Sequence, residues 1–223
     1  MREINITENK QRFIQLLREI DRPGADIPAL IYRLEHSDFF EAPCSTKYHL
    51  NIKGGNCYHS LLVYDTLLLL DKNFETHLDK ESMIITALCH DFDKMDKYEL
   101  TSRNVKNYND KGKHSDNKGK FDWVTEDSYM IRNAEDRFTY GHHGQNSEYI
   151  ANSYIPLTLD ESAAITNHMG KNDEYNTYDQ TPIYNKFTLA AMLHAADYLS
   201  TFVLETNKSQ IFDNITFSGE DCE

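Results

Sequence analysis

Apolar residues recur along this chain at the three- and four-residue spacing that puts them on one side of a helix. From Ile4 to Ile20 the pattern predicts an amphipathic helix, with Thr7 as N-cap and Phe13, Leu16, Leu17 and Ile20 on one side. Asp21-Arg22-Pro23-Gly24 reads as a turn, and a second helix is expected from about Ile27 to His36, with Pro28 in its first turn. Phe39 to Gly55 reads as an ordered loop closing with Gly54-Gly55. A third helix starts near Asn56 and is apolar on nearly every face (Leu61, Leu62, Val63, Leu67 to Leu70), which puts it at the centre of a bundle. The fourth is expected from about Lys80 to Asp96, and three more over Ser147–Tyr154, Thr158–His168 and Asn185–Glu205.

Between the fourth and fifth helices the character changes. Tyr98 to Phe121 is rich in Asn, Lys, Asp and Gly, with Asn109-Asp110-Lys111-Gly112 as a turn signal, and Trp123-Val124-Thr125 follows. This segment, about 98–130, is expected to form a small β-hairpin or mobile flap, with Trp123 packed in the core. Asn172 to Thr181 reads as a second polar loop, and no internal repeat is present. The expected fold is therefore mostly α: one single-domain helical bundle over 1–223. Its core would span about 39–205, with N-terminal helices over 1–36 and a loosely held tail over 207–223.

Composition narrows the function classes. The apolar stretch Leu61–Leu70 is interrupted by Tyr64, Asp65 and Thr66 and is too short to span a bilayer. Met1 to Lys10 is polar and charged, unlike a signal peptide, so a cytoplasmic location is expected. Cys44, Cys57, Cys89 and Cys222 form no CxxC pair and read as reduced thiols rather than a cysteine-based zinc site. The formal net charge of −13 opposes stable binding of duplex nucleic acid. An anionic substrate can still bind where a metal ion reverses the local sign.

Candidate chemistry centres on Ala87-Leu88-Cys89-His90-Asp91-Phe92-Asp93-Lys94, where an apolar run ends in a His-Asp pair. On a helix Lys94 would lie at i+4 from His90 and i+3 from Asp91, on the same face. His59, then His90 and Asp91, then Asp197 come from three separate predicted helices, which is how helical proteins build metal sites in their cores. Taken singly each has a plainer reading: His59 as a core histidine, Asp91 as a surface partner of Lys94. Asp197 is harder to dismiss, because it sits in the small, apolar Leu193-His194-Ala195-Ala196-Asp197-Tyr198-Leu199 and a buried carboxylate needs a strong partner. The mixed imidazole and carboxylate set suits Mn, Fe, Co, Ni or Zn, with Mg possible but less natural. His194, at i−3 from Asp197, is either beside the site or merely packed. Lys97, Arg103 and Lys106 begin the basic zone of an otherwise acidic chain and are candidates for gathering an anionic substrate.

The order His59 … His90-Asp91 … Asp197 resembles the HD superfamily of metal-dependent phosphohydrolases. Phe40-Glu41-Ala42-Pro43 through Lys47-Tyr48-His49, Gly54-Gly55 and His59-Ser60 are similar to the entry segment of HD-domain 3′→5′ exoribonucleases and related phage and bacterial HD proteins. The likeness spans about Phe39 to Ser200. It implies that His143 and His168 are further ligands, as in the bimetallic members. Two departures stand out. Asn56-Cys57-Tyr58 precedes His59 where the family reads Gly-Gly-Leu and a short spacer, and the third histidine is doubled. His143 is favoured over His142, because Gly144 and Ser147 then fit the family pattern.

The resemblance implies a metal-dependent hydrolase of phosphate esters using one or two divalent ions, with Asp91 able to bridge two of them and Lys94 neutralising the phosphoryl group. The expected substrate is a nucleotide, cyclic nucleotide or short oligonucleotide, in a bacterium or a phage-infected host. Two readings from other classes stand beside it: a catalytically silent nucleotide-binding regulatory module, and an HD-type di-iron oxygenase.

Overall fold

In the computed structural model, which describes residues 4–46, 50–170 and 180–205, the first, second, fourth and sixth helices start where the sequence supplies a capping side chain. α1 (Ile6–Leu17) begins at Asn5, whose side-chain oxygen accepts the Glu8 amide at 3.1 Å; the cap is Asn5 and not Thr7. α2 (Ile27–Glu35) is capped by Asp26 and carries Pro28 in its first turn. α3 (Gly55–Phe74) is buried on nearly every side through Leu67 and packs against α1, α4 (Lys80–Cys89) and α8 (Thr188–Leu199). It is the central helix that its sequence implies. α5 (His143–Asn152) and α6 (Leu159–Asn167) close the bundle, α6 opening with a capping box between Thr158 and Glu161. One core of aliphatic and aromatic side chains runs through all of these helices, with Phe13, Phe39, Phe92, Leu88 and Ile165 fully buried.

Three expectations need correction. α4 ends at Cys89 instead of running to Asp96: Asp91 leaves the helix at φ −108°, ψ 19°, and a short 3-10 turn, Phe92–Lys94, follows. The segment expected as one helix from Asn185 to Glu205 is split. α7 (Thr181–Lys186) stops at an extended Phe187, α8 follows, and a π-helical turn, Ser200–Leu204, carries the chain to Glu205. Trp123 is about half exposed, touching Phe121 edge-on, and is no part of the core.

The inserted segment is β, as its composition implies. β1 (Tyr98–Tyr108), β2 (His114–Asp116) and β3 (Gly119–Ile131) form an antiparallel sheet in the order β1-β3-β2. β1 and β3 pair from Tyr98↔Ile131 to Tyr108↔Phe121. Only Tyr98, Phe121 and Ser128 of β1 and β3 are buried, so the sheet stands off the bundle rather than covering it. The tail after Asn207, and most of the polar loop expected at Asn172–Thr181, lie outside the described residues. Among the described residues no helix is long and apolar enough to cross a membrane.

A buried ion network fastens the end of the bundle nearest the Arg22 turn. Arg22 bonds both oxygens of Glu161 (2.6 and 2.7 Å), the Glu81 carboxylate (2.9 Å) and the Pro156 carbonyl (2.9 Å). Burial pushes the Glu161 carboxyl up, but Arg22, the Thr158 amide and Ser82 outweigh it and hold the group below its ordinary value. A depressed carboxylate stabilises the fold above its unfolded-state pKa, and that stabilisation is lost as pH falls through the folded value. Arg22→Met strands a buried charge and is expected to cost about 3–5 kcal/mol in urea unfolding at pH 7. The difference from wild type should shrink as the pH drops below about 4. An unchanged urea midpoint at pH 7 would refute this role for the network.

Candidate metal centre

The break at the end of α4 is what aims the donors. His90 caps α4, and its Nδ1 lies 2.8 Å from the Ala87 carbonyl oxygen, which can only accept. Nδ1 therefore donates, and Nε2 is the nitrogen turned into the cluster. His90 Nε2 lies 3.3 Å from His59 Nε2 and 3.4 Å from Asp91 Oδ2. His168, at the end of α6, repeats the device: Nδ1 donates to the Ile165 carbonyl at 2.7 Å. Its Nε2 is fully buried with no hydrogen-bond partner among the described residues, and the Asp91 carboxylate is 3.9 Å away. Burial, with His90 and His143 adding to it, pushes this imidazole down to about 3, so it is neutral at pH 7. A buried acceptor without a donor is costly unless something electropositive occupies the space before it.

The other members arrive from different elements. His59, in the first turns of α3, faces Asp197 Oδ1 of α8 at 3.1 Å through Nε2 and Glu205 Oε1 at 2.6 Å through Nδ1. His143 begins α5 and lies between two carboxylates, Nε2 on Asp91 Oδ1 and Nδ1 on Asp93 Oδ2, both at 2.8 Å. Gly144 makes this possible: a Cβ there would fall 2.2 Å from the Thr166 carbonyl oxygen, so only glycine lets α5 approach α6 this closely. Lys94 donates to Asp91 Oδ2 at 2.6 Å, and Lys97 pairs with Asp93. His90, Asp91 and His168 form one set of donor atoms close enough for a single cation, and His59, His90 and Asp197 form another.

Electrostatics explain the protonation pattern. Asp91, Asp93, Asp197 and Glu205 bring four carboxylates, and Lys94 and Lys97 two ammonium groups, an excess of two negative charges. Burial alone would lower the His59 imidazole, but Cys44, Glu205 and Asp197 hold it well above its ordinary value. His143 is likewise raised against burial by Asp91 and Asp93. Both rings have two nitrogens on carboxylate oxygens and so carry two protons. Asp91, despite complete burial, is held well below the carboxylate range by Lys94, His90 and His143. Two extra protons thus offset the two-charge excess, and one divalent cation would do the same on displacing them. The donor set fits such an ion.

All six expected ligands, His59, His90, Asp91, His143, His168 and Asp197, meet in this cluster, with Lys94 beside them. His142 stands at the N-cap of α5, one residue outside it. His194 acts on the backbone: its Nδ1 donates to the His168 carbonyl at 2.5 Å and its ring stacks on Tyr184, fixing the end of α6. Of the expected substrate-binding residues only Lys97 touches the network. Arg103 and Lys106 lie along β1 with Glu126 and Asp116 as partners. At strand spacing they are about 16 and 26 Å from Tyr98. The cluster also contains residues that sequence reasoning passed over: Cys44, Asp93, Asn146 and Glu205. Asp93 was the most legible, since Lys97 stands at i+4 from it. Asn146, which donates to Asp93 Oδ1 at 2.6 Å, and Glu205, beyond an irregular turn, carried no sequence signal.

Comparison of the chain with protein-family models, with curated proteins and with solved structures yields no match.

The tautomers are directly checkable. Nitrogen-detected NMR of the metal-free protein at pH 7 should show His168 neutral with its proton on Nδ1. Zinc should then move its Nε2 resonance. A proton on Nε2 would remove the lone pair and count against a metal centre.

Proposed function

We propose that this protein is a metal-dependent hydrolase of phosphate esters of the HD type, acting on a nucleotide or short oligonucleotide. The observation that carries this reading is the buried, unpartnered Nε2 of His168 beside Asp91, with His90 Nε2 turned toward the same carboxylate. Backbone carbonyls orient both rings with Nε2 free to face a metal. The motif order His59, His90-Asp91, Asp197, with its likeness to the HD superfamily, supports the same class. His59, His90, Asp91, His143, His168 and Asp197 would hold one or two divalent cations, which would supply Lewis acidity toward a phosphoryl oxygen and lower the pKa of a water.

The chain's own residues supply the rest. The side chains of Lys94, Lys97, Asp197 and His143 keep 12%, 15%, 13% and 17% of their surface, so solvent reaches the cluster along this edge. A phosphate entering there meets the Lys94 ammonium, which already neutralises an oxyanion in Asp91. Asp93 and Asn146 fix the His143 ring, and Asn146 Oδ1 also accepts the amides of Tyr140 and Gly141 (3.0 and 2.7 Å). That ties the cluster to a mostly exposed aromatic stack of Phe138, Tyr140 and Tyr149, with Tyr140 and Tyr149 ring centres 4.6 Å apart. Such a surface offers a π-face to a nucleobase. Tyr98, by contrast, is buried and has no open face for a base.

Asp91→Ala should abolish manganese-dependent hydrolysis of a nucleotide phosphodiester while leaving the far-UV circular dichroism intact. Lys94→Met should lower kcat about 10²–10³-fold. Tyr140→Ala should raise KM for nucleotide substrates and leave kcat for a small chromogenic phosphodiester unchanged. Retained activity in folded Asp91→Ala would overturn the proposal. A substrate-length series separates an exonuclease, which prefers oligomers, from a nucleotidase.

A further inference from the structure

Cys44 lies in an irregular loop pinned over the start of α3. The Cys44 amide donates to the Leu50 carbonyl at 3.1 Å, the Asn56 amide to Ala42 at 3.1 Å and the Gly54 amide to Glu41 at 3.0 Å. The loop delivers a fully buried thiol to the cluster: Cys44 Sγ, a His59 ring nitrogen and an Asp91 oxygen lie within 4.8 Å of one another. Lys94 Nζ stands 3.3 Å from that sulfur and 2.6 Å from Asp91 Oδ2, an ammonium shared between two donors of the same set. The thiolate is the form that binds metals, and an incoming cation displaces the thiol proton. The other described cysteines differ. Cys57 and Cys89 are raised by burial, Cys57 to about 12, and among the described residues neither belongs to a group able to hold a metal. The buried, unpartnered Nε2 of His168 faces the same Asp91 and independently marks the cluster as built for a cation.

We infer that Cys44 is a sulfur ligand of the metal centre, which makes the site a mixed thiolate, imidazole and carboxylate one. This rests on the metal-centre reading above and adds to it a preference among metals. A thiolate is a soft donor, so the site selects zinc, cobalt or iron over magnesium and calcium. Loading forms a metal–sulfur bond and releases the thiol proton to solvent, with no change of oxidation state. Lys94 then loses its sulfur partner and keeps Asp91, leaving more of its hydrogen-bonding capacity for an incoming phosphate.

The test is the absorption spectrum of the full chain loaded with cobalt(II). The inference predicts visible d–d bands together with a near-ultraviolet sulfur-to-cobalt charge-transfer band. Cys44→Ser should lose the near-ultraviolet band and keep the visible ones, whereas Cys57→Ser and Cys222→Ser should keep both. Visible bands without a charge-transfer band in the wild type would overturn sulfur ligation and leave the metal centre standing. No cobalt bands of either kind would overturn both. X-ray absorption of the zinc-loaded wild type tests the same bond without a variant: a sulfur shell at about 2.3 Å is expected, and a shell of nitrogen and oxygen alone at about 2.0–2.1 Å contradicts it.

Discussion

Burying four carboxylates with only two lysines is the constraint on which the centre of this molecule depends. Charge of that kind is tolerated inside a protein only when it is paired and hydrogen-bonded, because desolvation costs several kcal/mol per ion. Here the pairing comes from Lys94, Lys97 and two doubly protonated imidazoles, His59 and His143. Two further imidazoles, His90 and His168, are oriented by backbone carbonyls with Nε2 turned inward, and His168 is held neutral by burial. Donor groups placed this closely could hold a divalent cation.

The rest of the fold serves to hold these groups still. α3 crosses the centre of the bundle and delivers His59, while the early end of α4 frees Asp91 to turn toward His143. The glycine contact between α5 and α6 brings His143 and His168 side by side, their ring centres 5.1 Å apart. The Arg22–Glu161 network clamps the turn before α2 to the starts of α4 and α6, so the helices bearing His90 and His168 are fixed relative to each other. The π-helical turn after α8 gives the chain the extra residue per turn that carries Glu205 onto His59, an irregularity often found where a helix serves a site.

Much of this was legible in the sequence, and the reasons for the rest are specific. The helical bundle followed from apolar periodicity, and the β insertion from its turn signals and loss of helical pattern. His59, His90-Asp91 and Asp197 were legible from their place on predicted helices, whereas His143 and His168 followed only from the likeness to the HD superfamily. Helix ends were less so: whether α4 stops at Cys89 depends on His90 and Asp91 finding partners far away in sequence. Trp123 reads as core by composition, yet it lies on a sheet with almost nothing packed against its faces. Cys44 was passed over because the expected thiolate signal is a CxxC pair, whereas this thiol finds its partners through a pinned loop.

The most direct measurement is the metal content per chain after manganese loading and gel filtration, for the wild type and for Asp91→Ala. A metal centre built on Asp91 predicts one or two tightly held ions per wild-type chain, lost in the variant. Metal-free protein in both cases would contradict it, and the buried histidines and carboxylates would then be packing alone.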